Sequence, residues 1–201
     1  LIQGLVSAGA AKGDVIGILS WNCLEYADVY GACMKGGFIA SPFNPRLHEE
    51  ELEYLINYSG ANTLFVGPDL IETAAGLRPR LPKVKNYICF GKGAPGMHSH
   101  REMLAAHPSH EPEWVVDRDD PFLLFFTSGT TGDPKGVPLT HRNVGVNGRD
   151  WFGVMGEHAQ PGGIDPLWLP MSHIFGFGEL CVGNALAYTS YLCDPTTVLA
   201  R

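Results

Sequence analysis

Short, unbroken apolar runs separated by amphipathic stretches set the plan of this chain. VIGILS (15–20) is a continuous apolar run of the kind a strand buried on both faces requires. Asn22 stands where it can cap the next segment, CLEYADVYGACMKGG, whose apolar positions recur at helical spacing and which stops at Gly36-Gly37. FIASPFNP returns as a short strand ended by its prolines. LHEEELEYLINYSG reads as a helix, acidic in its first turn where the dipole favours carboxylates, and closed by Gly60. NTLFVG and NYICFG (86–91) are further strands, and the opening LIQGLVSAG reads as a helix already under way. Strands alternating with helices at this spacing predict an α/β fold with a parallel, doubly wound sheet.

The stretch from Lys92 to Asp120 changes character. It holds His98, His100, His107 and His110 and ends in the acidic EPEWVVDRDD, so a boundary is expected there, with one portion at 1–113 and a second at 114–201. Beyond it FLLFFT (122–127) and GVPLT read as strands around a glycine-rich loop, followed by a helix from about Thr140 to Met155. LWLP (167–170), a helix near Phe175 to Ala187 and a strand in AYTSYLC (187–193) complete the pattern.

Composition narrows the function classes. Apolar residues make up 45% of the 201 and charged residues 17%, enough for a sizeable core. A net charge of -7 argues against a nucleic-acid or membrane-surface binder, which carries a basic face. Five cysteines, widely spaced and without a CxxC pair, read as reduced thiols of a cytoplasmic protein. No apolar run of about 18 residues predicts a membrane span, and the N-terminus lacks the basic start of a signal peptide. The first residue is not Met, and DPTTVLAR at the other end reads as a loop with a helix barely begun, so the chain is expected to be a piece of a longer protein.

The chemistry concentrates in TSGTTGDPKG (127–136). Gly129 and Gly132 allow successive backbone N–H groups to turn toward one point and form an anion nest. Thr127, Ser128, Thr130 and Thr131 add compact hydroxyl donors, and Lys135 adds a positive charge. Hydrogen bonds to charged groups contribute about 1.5–3 kcal/mol each, so a few convergent donors hold a polyphosphate. A plain glycine-rich turn is the bland alternative. The nucleoside triphosphatase loop GxxxxGK[ST] is the sharper rival, but Pro134 stands where its second Gly belongs and Gly136 where its hydroxyl belongs.

TSGTTGDPKGVPLTHRNV resembles the phosphate-loop signature of the adenylate-forming superfamily, which includes acyl-CoA synthetases, firefly-type luciferases and peptide-synthetase adenylation domains. LPMSHIFGF (169–177) is similar to that family's LPxxHxxG motif. The stretch from Gly13 to Val66 resembles its N-terminal subdomain, with NPRLHEEELEYLINYSGA most like acyl-CoA synthetases. The resemblance implies helix-covered, largely parallel sheets in two packed subdomains, part of a large N-terminal domain. It also implies a ligase that joins a carboxylic acid, expected to be a fatty acid, to ATP as an acyl-adenylate, releasing pyrophosphate. The thiol of coenzyme A then displaces AMP. ATP, Mg²⁺ and coenzyme A are the implied cofactors and cosubstrates. Thr127, Ser128, Gly129, Thr130, Thr131, Gly132 and Lys135 would hold the phosphates, with Lys135 the point charge on the leaving pyrophosphate. His173 would orient the substrate carboxylate, and Phe175, Gly176 and Phe177 would begin the helix lining the acyl pocket. A satisfied core histidine is the structural alternative for His173.

Thr140 is expected to cap a helix, with His141 and Arg142 structural or solvated. The four histidines between 98 and 110 match no zinc spacing and read as a solvated loop. The family's adenine, ribose and C-terminal lysine motifs are expected after residue 201, so this piece alone is expected to be nearly inert. A non-catalytic ligand-binding relative is the remaining alternative.

Overall fold

The structure, a computed structural model, describes residues 1–127, 134–155, 158 and 160–193. The continuous apolar runs become β1 (Val15–Leu19), β2 (Ile39–Phe43), β3 (Thr63–Val66) and β4 (Asn86–Cys89), all parallel. They lie in a seven-stranded sheet of order β5-β4-β3-β1-β2-β6-β7, completed by β5 (His98–Ser99), β6 (Pro121–Thr127) and β7 (Lys135–Thr140). Among the described strands of this sheet only β6 and β7 pair antiparallel. The expected α/β fold with a largely parallel sheet is the one found.

Alternation across the pleat explains why these strands are apolar without a break. Ile16, Ile18, Phe65 and Ile88 join one buried cluster, while their chain neighbours Leu19, Leu64, Val66 and Tyr87 join the cluster on the opposite face. The first face is covered by α1 (Ile2–Ser7), α2 (Glu25–Gly36) and α5 (His100–Ala106), the second by α3 (Glu49–Ser59) and α4 (Ile71–Leu77). Helix α2 contributes Tyr26, Val29, Tyr30 and Cys33, and α3 contributes Leu52, Leu55 and Ile56, both at helical spacing. Each aliphatic side chain among them, buried whole, stabilises by about 1.5–3 kcal/mol. Gly37 (φ 67°) and Gly60 (φ 73°) end the two helices in the left-handed conformation that only glycine adopts without cost. At the other end of α3, Glu51 accepts from the His48 backbone N–H at 3.0 Å.

Several elements differ from the expectation. Helix α5 occupies part of the stretch read as a solvated loop. Ser99 caps it, accepting from the Glu102 N–H at 3.2 Å, and His100 is buried between Phe65 and Phe90. Burial holds its imidazole below the ordinary value. Asn22 does not cap α2, whose N-cap is Leu24.

Beyond β7 run α6 (His141–Met155), β8 (Ile164–Leu167), α7 (Ile174–Ala185) and β9 (Thr189–Leu192), with β8 and β9 paired in parallel. Thr140 caps α6 as expected. Its Oγ1 accepts from the Asn143 N–H at 3.2 Å, and Asn143 Oδ1 accepts from the Thr140 N–H at 2.9 Å. Strand β8 starts and ends three residues earlier than LWLP. Leu167, Met171 and Phe177 insert into the first cluster, which fixes this region on the α2 side of the sheet. All five cysteines carry free thiols. Among the described residues no helix is long and apolar enough to cross a membrane.

Candidate active site

Strand β6 runs parallel to β2, so its end at Thr127 lies on the same edge as the carboxyl ends of β1 to β4. That edge is where open α/β sheets place ligands. Across the hairpin Thr127 pairs with Lys135, which closes the ends of the glycine loop over this edge. Ser128, Gly129, Thr130, Thr131 and Gly132 lie outside the described residues, as does the segment 194–201. Thr127 and Lys135 are exposed. Among the described residues no carboxylate pairs with Lys135.

His173 is the N-cap of α7, exposed, with Nδ1 accepting from the Phe175 N–H at 3.3 Å. The imidazole stacks on Phe175, centroids 5.5 Å apart, and Phe175 is itself 61% exposed. Phe177 is buried against Phe122 and Phe125 of β6 and against Tyr30 of α2. One strand therefore carries the glycine loop at its end and seats the first turn of α7 along its length. Gly176 is buried, and a Cβ there would lie 2.2 Å from the Pro170 carbonyl oxygen, so only glycine lets the 169–171 segment cross α7.

A cavity of about 860 Å³ opens between α6 and α7. Val144, Trp151, Phe152 and Met155 line it from α6, Phe175 and Phe177 from α7. Gly176 and His173 are not among its lining residues, although Ile174 and Phe175 beside them are. Helix α6 has no buried residue of its own because its apolar face borders this space. The spacing of 144, 151, 152 and 155 marks that face in the sequence, yet nothing there says that the face borders a cavity rather than core.

Two carboxylates, Glu179 and Asp165, also line it. Burial first, and the negative charge of Asp165 second, push Glu179 up to about 7. The folded chain keeps this proton between its ordinary value of 4.5 and about 7, where the unfolded chain loses it. The contribution to stability is therefore complete below the unfolded value and lost as pH rises through the folded one. Glu179→Gln keeps the side chain neutral and its acceptor for the Leu169 N–H. Its urea midpoint is expected to match wild type at pH 4 and to exceed it at pH 8, with the gap opening across that window.

His141 stacks on Phe122 with centroids 5.0 Å apart, and Arg142 pairs with Asp119, so both serve the α6 start. Among the described residues no group of three or more His, Cys, Asp or Glu side chains is placed to hold a metal. No described residue is therefore assigned as a ligand to Mg²⁺. No local sequence pattern marks Tyr30 or Asn22 as a contributor here, since their contacts reach across more than 140 residues.

A family model described as AMP-binding enzyme matches residues 1–200. The chain is 31% identical over 190 residues to the 3-methylmercaptopropionyl-CoA ligase of Ruegeria lacuscaerulensis, covering 88% of this chain and 34% of that protein. It is 31% identical over 222 residues to the acyl-CoA ligase sidI of Aspergillus fumigatus, covering 98% of this chain and 37% of that one. The inhibitor-bound crystal structure of the N-terminal domain of FACL13 from Mycobacterium tuberculosis superposes with a TM-score of 0.86 at 27% identity, covering 99% of this chain and 49% of that chain. The chain spans about a third of the length of these curated relatives.

Proposed function

We propose, from the premise that this chain belongs to the AMP-binding enzyme family, that the protein is an ATP-dependent, AMP-forming acyl-CoA synthetase. In the first half-reaction a carboxylate oxygen of the acid attacks the α-phosphorus of ATP, and the bond to the β-phosphate oxygen breaks. Pyrophosphate leaves and an acyl-adenylate remains. In the second, the sulfur of coenzyme A attacks the acyl carbon and AMP departs. The reading extends from this chain to a longer protein acting in the cytoplasm; the boundary expected between 113 and 114 does not divide the sheet, because β6 and β7 join the strands that precede it.

The observation that carries it is the dual use of β6, which closes the glycine loop at one end and seats α7 beside the apolar cavity. Lys135 supplies positive charge where pyrophosphate accumulates negative charge, a differential stabilisation of the transition state. Thr127 and the loop residues Ser128, Gly129, Thr130, Thr131 and Gly132 hold the β- and γ-phosphates. Mg²⁺ carried by the ATP would shield part of the same charge. His173, at the mouth of α7, orients the carboxylate for in-line attack. Phe175 and Phe177, with the apolar face of α6, take the acyl chain, and Gly176 keeps that helix start in place. The cavity's aliphatic and aromatic lining favours a fatty acid.

The test is incorporation of labelled pyrophosphate into ATP by the full-length protein, with a panel of short, medium, long and aromatic acids. Acid-dependent incorporation, strongest with an aliphatic acid, is the expected result.

A further inference from the structure

The segment before His173 has no sheet ladder to hold it, because β8 ends at Leu167. The Leu169 N–H goes to Glu179 of α7, and other backbone groups go to two side chains far away in sequence. Asn22, half-buried in the connection between β1 and α2, donates from Nδ2 to the Leu169 carbonyl at 2.8 Å. Its Oδ1 accepts from the Met171 N–H, also at 2.8 Å. Tyr30 donates its buried hydroxyl to the Met171 carbonyl at 2.6 Å. The His173 N–H then closes the turn on the Pro170 carbonyl at 2.9 Å.

This pairing is chemically demanding. One partner of Asn22 is an acceptor and the other a donor, two residues apart, so only a side chain presenting both groups in one plane satisfies them. Aspartate offers acceptors alone, and alanine offers neither. Asn22 also stands in the connection that leaves the carboxyl end of β1, the same edge at which β6 ends in Thr127. The imidazole of His173 is exposed, and its described contacts, the Phe175 N–H and the Phe175 ring, lie within its own helix start, so its place relative to that edge depends on the backbone before it.

We infer that Asn22 is a positioning residue for His173, tying the acid-orienting histidine to the carboxyl edge of the parallel sheet. The inference rests on the role given to His173 above. Asn22 touches neither acid nor nucleotide, and acts through the 169–171 backbone.

The experiment is acid-dependent pyrophosphate exchange by the full-length protein carrying Asn22→Ala, Asn22→Asp, His173→Ala, or Asn22→Ala with His173→Ala. Urea midpoints are recorded beside the kinetics. Asn22→Ala and Asn22→Asp are expected to raise KM for the acid about tenfold and to leave KM for ATP within about twofold, at temperatures where each variant is folded. In the His173→Ala background Asn22→Ala is expected to add nothing further. A purely structural role changes the folded fraction and lowers the apparent rate without this split between the two KM values. If His173→Ala itself leaves KM for the acid unchanged, the reading of His173 falls, and the inference with it. If His173→Ala raises that KM while the Asn22 variants do not, or if the two effects multiply in the double variant, only the inference is overturned. Loss of the fold in both Asn22 variants also overturns it, since Asn22 would then be a residue of folding.

Discussion

Gly176→Ala is expected to destabilise the protein by about 3 kcal/mol, the upper end of the range for overpacking a close-packed site. An added Cβ meets the Pro170 oxygen at 2.2 Å, the Pro170 carbonyl carbon at 2.5 Å and the Leu169 oxygen at 2.7 Å, all backbone atoms. Ordinary van der Waals contact begins at 3.4 Å, so the two segments must part by more than an ångström. Neither moves freely. Asn22 and Tyr30 hold the 169–171 segment, Met171 is buried, and Phe177 anchors α7 in the core. Gly178, two residues on in the same helix, provides the control, because a Cβ there meets nothing within 4 Å. Gly178→Ala is expected to be neutral or to stabilise by up to about 1 kcal/mol through helix propensity. Urea midpoints of the two variants check both statements. Equal midpoints would mean that the crossing at Gly176 is looser than its geometry indicates.

Lys135→Ala is expected to slow adenylation by about 10²–10³-fold, the magnitude associated with removing one preorganised group from a developing charge. The side chain is exposed at the start of β7 and carries no ion pair among the described residues. Its removal is therefore expected to change stability by no more than about 0.5 kcal/mol. Lost activity with unchanged stability separates a phosphate-facing cation from one that merely holds the hairpin closed. In the second case the rate and the urea midpoint fall together. Lys135→Arg keeps the charge, and is expected to recover part of the rate, limited by the different shape of the guanidinium.

The sheet was legible because strands buried on both faces read as continuous apolar runs, and α2 and α3 because their buried positions repeat at helical spacing between clear stops. Helix α5 was obscured by its surroundings, a histidine-bearing stretch that resembles a linker. Its signal was nonetheless present, since Ser99 followed by Glu102 three residues later is a helix-start pattern. Two other departures share one cause. The local pattern makes Asn22 a helix cap and LWLP a strand running to Pro170. In the fold the polar ends of Asn22 go to Leu169 and Met171, so the side chain is unavailable as a cap and those backbone groups are unavailable to a ladder. A contact between residues 147 and 149 positions apart leaves no local pattern. The motif around His173 named the residue but not what holds it, and the cavity depends on how α6 and α7 lean together.

The central claim is that the glycine loop and α7 serve one reaction, adenylation of a carboxylic acid. Its most direct measurement is the exchange of labelled pyrophosphate into ATP by the full-length protein, with and without acid, at saturating ATP and Mg²⁺. Label entering ATP only when an acid is present, and AMP rather than ADP as the nucleotide product once coenzyme A is added, is the predicted result. ATP binding without exchange for any acid, or turnover to ADP and phosphate, would contradict it.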